Sequence, residues 1–151
     1  DEYRLISIPD TRFYHCNIKT LNLIPNVMAA QQASEAGCNE TVFVRDGYVT
    51  ECSHSNISMV KDGVFITHPL DNLILPGTER KHIIRWCGEL GIPVKERAFT
   101  LEELYTADEI LVTSTSHPSM RAMELNQKAV GMKNPELIQK LRDKYLNEIG
   151  K

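Results

Sequence analysis

The sequence predicts an α+β domain, in which β meanders and hairpins are covered by a few helices. Two observations carry this reading. Asp46-Gly47 and Asp62-Gly63 each divide a pair of β-rich runs, which is a hairpin signature. Several stretches with helical periodicity are also bracketed by start and stop residues. The 151 residues are enough for one domain with a real core. No internal repeat beyond the hairpins, no low-complexity segment and no linker divides them.

The elements follow in order. "YRLISIP" alternates and predicts a strand over 3–8. Pro25 suits the first turn of a helix, "NVMAAQQASEAG" favours its continuation, and Gly37 stops it. Residues 40–68, from "ETVFVRDGYVTEC" to "NISMVKDGVFITHP", predict four short strands in two hairpins. "LPGTERKHIIRWCGELG" predicts a helix over 77–90, with Ile83, Ile84, Cys87 and Leu90 on one stripe and Gly91 closing it. "IPVKERAF" is one short strand. Thr100 and Glu103 form a capping box that opens a further helix. "EILVTSTS" is a buried strand that delivers hydroxyls to its end, and "RAMEL" is an edge strand. Asn134-Pro135 opens a last helix with Leu137, Leu141, Tyr145 and Ile149 on one face.

Composition excludes several function classes. A net charge of −3 gives no basic face for phosphate backbones, so no nucleic-acid partner is expected. No apolar run reaches membrane-spanning length. Cys16, Cys38, Cys52 and Cys87 fit neither a zinc template nor a disulfide framework. They read as free thiols, small core residues of a cytoplasmic protein. The five histidines are scattered without ligand spacing, so no metal site is expected. The acidic, alternating start reads as the middle of a longer protein, a fragment or a processed chain, and not as a signal peptide.

One residue raises a chemical question. Lys19 lies among Ile18, Leu21, Leu23 and Ile24 in "HCNIKTLNLIP". Its ammonium either snorkels to water or is kept desolvated so that the amine is reactive. The stretch alone leaves both readings open.

"IKTLNLIPNVMAAQQASEAGCNETVFVRDGYVTECSHSNI", "THPLDNLILPG" and "ADEILVTSTS" occur in that order. Together they resemble the class IV, fold-type IV pyridoxal-phosphate (PLP) enzymes. That group includes D-amino-acid aminotransferase, branched-chain aminotransferase and aminodeoxychorismate lyase. "NIKTLN" and "VTECSHSN" look most like the D-amino-acid aminotransferase branch. The resemblance implies that Lys19 is the Schiff-base lysine, which also carries the proton between the substrate α-carbon and the cofactor C4′. It implies that Glu51 keeps the pyridine nitrogen protonated. Read on the residues alone, without the motif, Glu51 is a solvent-facing strand glutamate after the hairpin. Asn56 matches an asparagine of the same segment, or else simply bonds the backbone. Gly77 and Thr78 would offer helix-start N–H groups to the phosphate, and Ser114 and Thr115 the hydroxyls. Those hydroxyls otherwise only terminate a strand. Leu75 would lie against the cofactor ring and also serve the core.

Two departures stand out. The family pattern runs G-[IV]-T-R where this chain has Gly77-Thr78-Glu79-Arg80. A carboxylate beside a phosphate repels it, so Glu79 is expected to turn away or to weaken PLP binding. The stretch after Ser116 is also off pattern, on what is the substrate side in relatives. The resemblance further implies that residues 1–151 are the C-terminal cofactor-binding domain of a homodimeric enzyme. A smaller N-terminal domain, absent here, would cover the cofactor. This domain by itself is then expected to be folded but inactive. The expected reaction passes the amino group of a D-amino acid to a 2-oxo acid. The alternatives are a lyase of the same fold that makes 4-aminobenzoate, or a non-catalytic domain that has lost PLP.

Overall fold

A computed structural model describes residues 2–18, 23–114 and 120–149. It contains a ten-stranded mixed sheet and four helices. Strand β1 (Glu2–Pro9) leads through helix α1 (Ile24–Glu35) to β2 (Glu40–Arg45), which pairs parallel to β1. Pro25 lies in the first turn of α1 as expected, and Ala29 and Ala33 bury its inner face. The Thr41 hydroxyl donates to the Ala29 carbonyl at 2.6 Å and fastens the helix to the sheet.

The hairpins form where the Asp-Gly pairs place them. β2 turns into β3 (Tyr48–Cys52), with Asp46 and Gly47 at φ 52° and 83°. β4 (Asn56–Lys61) turns into β5 (Val64–Thr67), with Asp62 and Gly63 at φ 51° and 77°. Both central residues take positive φ, the turn whose twist matches paired strands.

Helix α2 (Thr78–Leu90) ends at Gly91 in the left-handed region. It buries Ile83, Cys87 and also Trp86, while Ile84 and Leu90 pack only partly. The expected single strand at 92–99 is two: β6 (Val94–Glu96) beside β5, and β7 (Phe99–Thr100) beside β3. Helix α3 (Leu101–Thr106) carries the expected capping box, with Glu103 N–H donating to Thr100 Oγ1 at 3.2 Å. Thr100→Ala is expected to lower stability by about 1 kcal/mol, read from the thermal midpoint.

β8 (Glu109–Thr113) is buried along its whole length. Ile110 and Val112 enter one core, and Leu111 enters the other, beneath α2. A strand covered on both faces reads as a continuous apolar run. β9 (Met120–Leu125) corrects the expectation of an edge strand. It lies between β8 and β1 and also carries β10 (Lys128–Ala129). Arg121 on β9 grips the fully buried Glu109 with two bonds of 2.9 and 2.7 Å, so a charged residue is tolerated inside the sheet. Helix α4 (Pro135–Glu148) starts on the Asn134 cap and buries Leu137, Ile138 and Leu141. Ile149, expected on that face, is exposed beyond the helix end.

The strand order is β6-β5-β4-β8-β9-β1-β2-β3-β7. Its two ends, β6 and β7, are separated in sequence only by Arg97 and Ala98. Three peptide steps span at most about 11 Å. The sheet is therefore curled until its ends face each other, in the manner of a barrel. Of the four free cysteines, Cys16, Cys52 and Cys87 are buried and Cys38 is half-buried, which corrects its place in the core. No described helix is long and apolar enough to cross a membrane.

Candidate active site

The ends of several of these elements surround a cavity of about 250 Å³. Glu51 comes from β3, Asn56 from the start of β4, and Gly77 and Thr78 from the start of α2. Leu75 and Ser114 complete the six predicted residues that share its wall. β3 and β4 lie near opposite ends of the strand order and are joined by the turn at 53–55. The site thus sits where the curled sheet nearly meets itself. Lys19 and Thr115 lie outside the described residues. Their neighbours Ile18 and Ser114 both line the cavity.

Glu51 is buried, not solvent-facing. Its Oε1 accepts from Arg12 Nη1 at 2.6 Å. Its Oε2 accepts from Asn56 Nδ2 at 2.9 Å and from the Leu75 N–H at 3.1 Å. The Asn56 amide also donates to the Leu75 carbonyl at 2.9 Å, so Asn56 bonds both the glutamate and the backbone. A Cβ on Gly77 would stand 2.3 Å from Asn56 Oδ1. Only glycine lets the start of α2 come this close.

Arg12 is one of two residues of the site that the sequence left unmarked. Its guanidinium also bonds both oxygens of Asp10 at 2.9 Å and the Leu73 carbonyl at 2.9 Å, and stacks 4.4 Å over the Phe43 ring. Arg45 holds the other side of Asp10 at 2.9 Å. Two carboxylates and two guanidiniums therefore alternate in a buried row. Burial pushes the Glu51 carboxyl up to about 7, and the Arg12 charge opposes that rise. Burial works against the Arg12 charge, but its bonds to Asp10 and the charge of Glu51 hold its pKa above the ordinary value. Burial likewise works against the Asp10 charge, yet the Arg12 bonds leave its pKa below the usual range. Burial raises Cys16 and Cys52, so neither thiol in the cavity wall has the lowered pKa of a nucleophile.

Glu40 is a second missed residue. Buried on β2, it gathers the Ser53–Ser55 turn onto its carboxylate. It accepts from the Ser53 N–H at 3.1 Å, the Ser53 hydroxyl, and the Ser55 hydroxyl at 2.9 Å. All three turn residues line the cavity. Their clustered hydroxyls in "SHS" were the one sequence signal for this wall; Glu40 itself had none.

Glu79 does not turn out to water. It is only 8% exposed, lines the cavity, and its Oε2 has no hydrogen-bond partner among the described residues.

Known proteins resemble this chain in sequence and in fold. The family model described as Amino-transferase class IV matches residues 4–125. D-alanine aminotransferase of Listeria monocytogenes serotype 4b is 42% identical over 147 residues, covering 96% of this chain and 50% of that protein. A branched-chain aminotransferase from Thermobaculum terrenum, solved in its PLP form, superposes with a TM-score of 0.86 at 25% identity, over 96% of this chain and 50% of that one. A Legionella pneumophila protein described as a candidate 4-amino-4-deoxychorismate lyase superposes with a TM-score of 0.89 at 26% identity, over 98% of this chain and 56% of that one. This chain spans about half the length of these relatives.

Proposed function

The chain belongs to the class IV aminotransferase family, and from that premise we propose that it is the cofactor-binding domain of a PLP-dependent D-amino-acid aminotransferase. The observation that carries the reading is convergence. Glu51, Asn56, Leu75, Gly77, Thr78 and Ser114 are far apart in sequence and share one cavity with Ile18, the sequence neighbour of Lys19.

The donor set fits PLP. A buried carboxyl that could pair a ring nitrogen, a hydroxyl, and the N-terminus of a 13-residue helix beside a glycine with no room for a Cβ all line one cavity. When bound, PLP supplies an electron sink for the pair left behind when the substrate α-carbon loses its proton. The chain's own residues do the rest. The Lys19 Nζ would hold the cofactor and, once released, would carry the α-proton to C4′. Glu51 holds the ring-nitrogen proton. Burial raises its carboxyl to about 7 in the free cavity, and a ring-nitrogen cation beside it would favour the carboxylate. Arg12 and Asn56 keep its oxygens aimed, and Leu75 packs against the ring. The N–H groups of Gly77 and Thr78 and the hydroxyls of Ser114 and Thr115 bind the phosphate.

The substrates are a D-amino acid such as D-alanine and a 2-oxo acid, and the working form is a cytoplasmic homodimer. Tyr14, Ile18, Leu23, Ile24, Val27 and Met28 support an assembly in which this face is covered. Each is an exposed apolar side chain on α1 or among the described residues before it.

Borohydride reduction of the PLP-loaded protein followed by peptide mapping tests the reading. The pyridoxyl group is expected on Lys19; a label on Lys61 or Lys81 would overturn it. Incubation of the full-length protein with D-alanine and 2-oxoglutarate is expected to release pyruvate. Turnover of the chorismate-derived substrate alone would transfer the protein to the lyase branch.

A further inference from the structure

The turn at 53–55 is held from behind. Glu40 accepts from the Ser53 and His54 N–H groups at 3.1 and 3.3 Å, and from the hydroxyls of Ser53 and Ser55. The Ser53 carbonyl accepts from the buried Asn26 amide at 2.8 Å, and the Ser55 carbonyl from the Cys52 N–H at 2.8 Å. These bonds take up both serine side chains and most of the main chain. What the turn has left to offer a ligand is the imidazole of His54. His54 is exposed and lines the cavity, and its ring bonds none of the described residues.

Exposure divides the cavity wall into a floor and a mouth. Glu51 and Asn56 are buried and belong to the floor. Ile18, Leu23, Thr78 and His54 are exposed and mark the mouth. A substrate that reacts against a ring held on the floor sends its far end towards the mouth. Ile18 and Leu23 suit an aliphatic stem, but a carboxylate beside them is costly unless a donor meets it.

We propose that His54 is a specificity residue, which donates a ring N–H to the distal carboxylate of a dicarboxylic 2-oxo acid and so favours such acids as amino acceptors. This rests on the reading of the cavity as the PLP site of an aminotransferase. No bond of the substrate is made or broken in the contact. A hydrogen bond to a carboxylate is stronger than one between neutral groups. The fixed turn carries the ring on an ordered main chain, so less freedom is lost when the substrate binds.

The test uses the full-length, PLP-loaded protein with D-alanine as donor and two acceptors. One is 2-oxoglutarate; the other is 2-oxopentanoate, which has a methyl group in place of the distal carboxylate. The ratio of their kcat/KM values is expected to fall about tenfold in His54→Ala. His54→Gln should recover part of it, because its amide can still donate. Using the ratio cancels any loss of active protein. Binding is read separately by NMR. Glutarate, which cannot accept an amino group, should shift the His54 ring C–H resonance of the wild type, and pentanoate should not. That resonance is identified by its absence from His54→Gln. An unchanged ratio in His54→Ala, or a resonance that ignores glutarate, would overturn the proposal and leave the PLP site standing. A His54→Ala protein inactive with both acceptors would also overturn it, since His54 would then serve the reaction and not the choice of acceptor. A wild type that transaminates neither acceptor would remove the proposed function, and this inference with it.

Discussion

Arg12→Met is expected to cost about 3–5 kcal/mol of folding stability, measured by urea denaturation at neutral pH. The guanidinium is buried between two carboxylates, with bonds of 2.6 Å to Glu51 and 2.9 Å to Asp10. Methionine matches its stem and can still pack on Phe43, so the loss isolates the charge. Removal leaves Asp10 with Arg45 and the Thr50 hydroxyl, and Glu51 with only Asn56 and the Leu75 N–H. Losing a neighbouring cation disfavours the carboxylate, so Glu51 rises above its already raised value of about 7 and protonates. Adding Glu51→Gln to Arg12→Met should recover part of the loss, because the stranded charge is gone. An Arg12→Met protein within about 1 kcal/mol of the wild type would refute this account of the buried row.

Glu51→Gln is expected to slow transamination about 10²–10³-fold in the full-length protein, the scale of losing one preorganised electrostatic partner. The amide keeps the shape and can still accept from Leu75, but it cannot pair a protonated ring nitrogen. Single-turnover absorbance with D-alanine measures the step directly. The same substitution has a signature in the cofactor-free protein. A carboxyl whose folded value is raised from 4.5 to about 7 favours the folded state while it is protonated. That stability is fully present below the ordinary value and is lost as pH rises through about 7. Glu51→Gln removes this loss, so the variant's stability should change less than the wild type's across that window. Equal pH dependence in the two proteins would show that Glu51 is not the titrating group.

The sequence made local structure legible wherever a signal was complete within a few residues. Asp46-Gly47, Asp62-Gly63, Thr100 with Glu103, and Asn134-Pro135 each set a turn or a helix start as expected. The turn at Asn126-Gln127 takes positive φ at both residues without a glycine, so it offered no comparable mark. What escaped was long-range. "RAMEL" mixes charge with apolar residues and read as an edge, because the partner that neutralises Arg121 is Glu109, twelve residues earlier. "IPVKERAF" looked continuous, because nothing local tells Val94 and Phe99 that they join different strands. The family's motifs brought Glu51, Asn56, Leu75, Gly77, Thr78 and Ser114 to one cavity. Arg12 carries no motif. Its role comes from Glu51, 39 positions away, and its burial from Phe43 and Leu73.

The way β6 and β7 face one another also bears on how the protein behaves in a crowded solution. An exposed edge strand presents unpaired N–H and C=O groups and can template pairing with another chain. Here the terminal strands are three and two residues long, and only Arg97 and Ala98 separate them. Lys95 and Glu96 add charge to one of them. A neighbouring molecule finds little length there, and the apolar Val94 and Phe99 pack inward, so an intermolecular ladder has little on which to start. A chain rich in β-structure thus blocks amyloid-like growth at its sheet ends, by curvature and shortness.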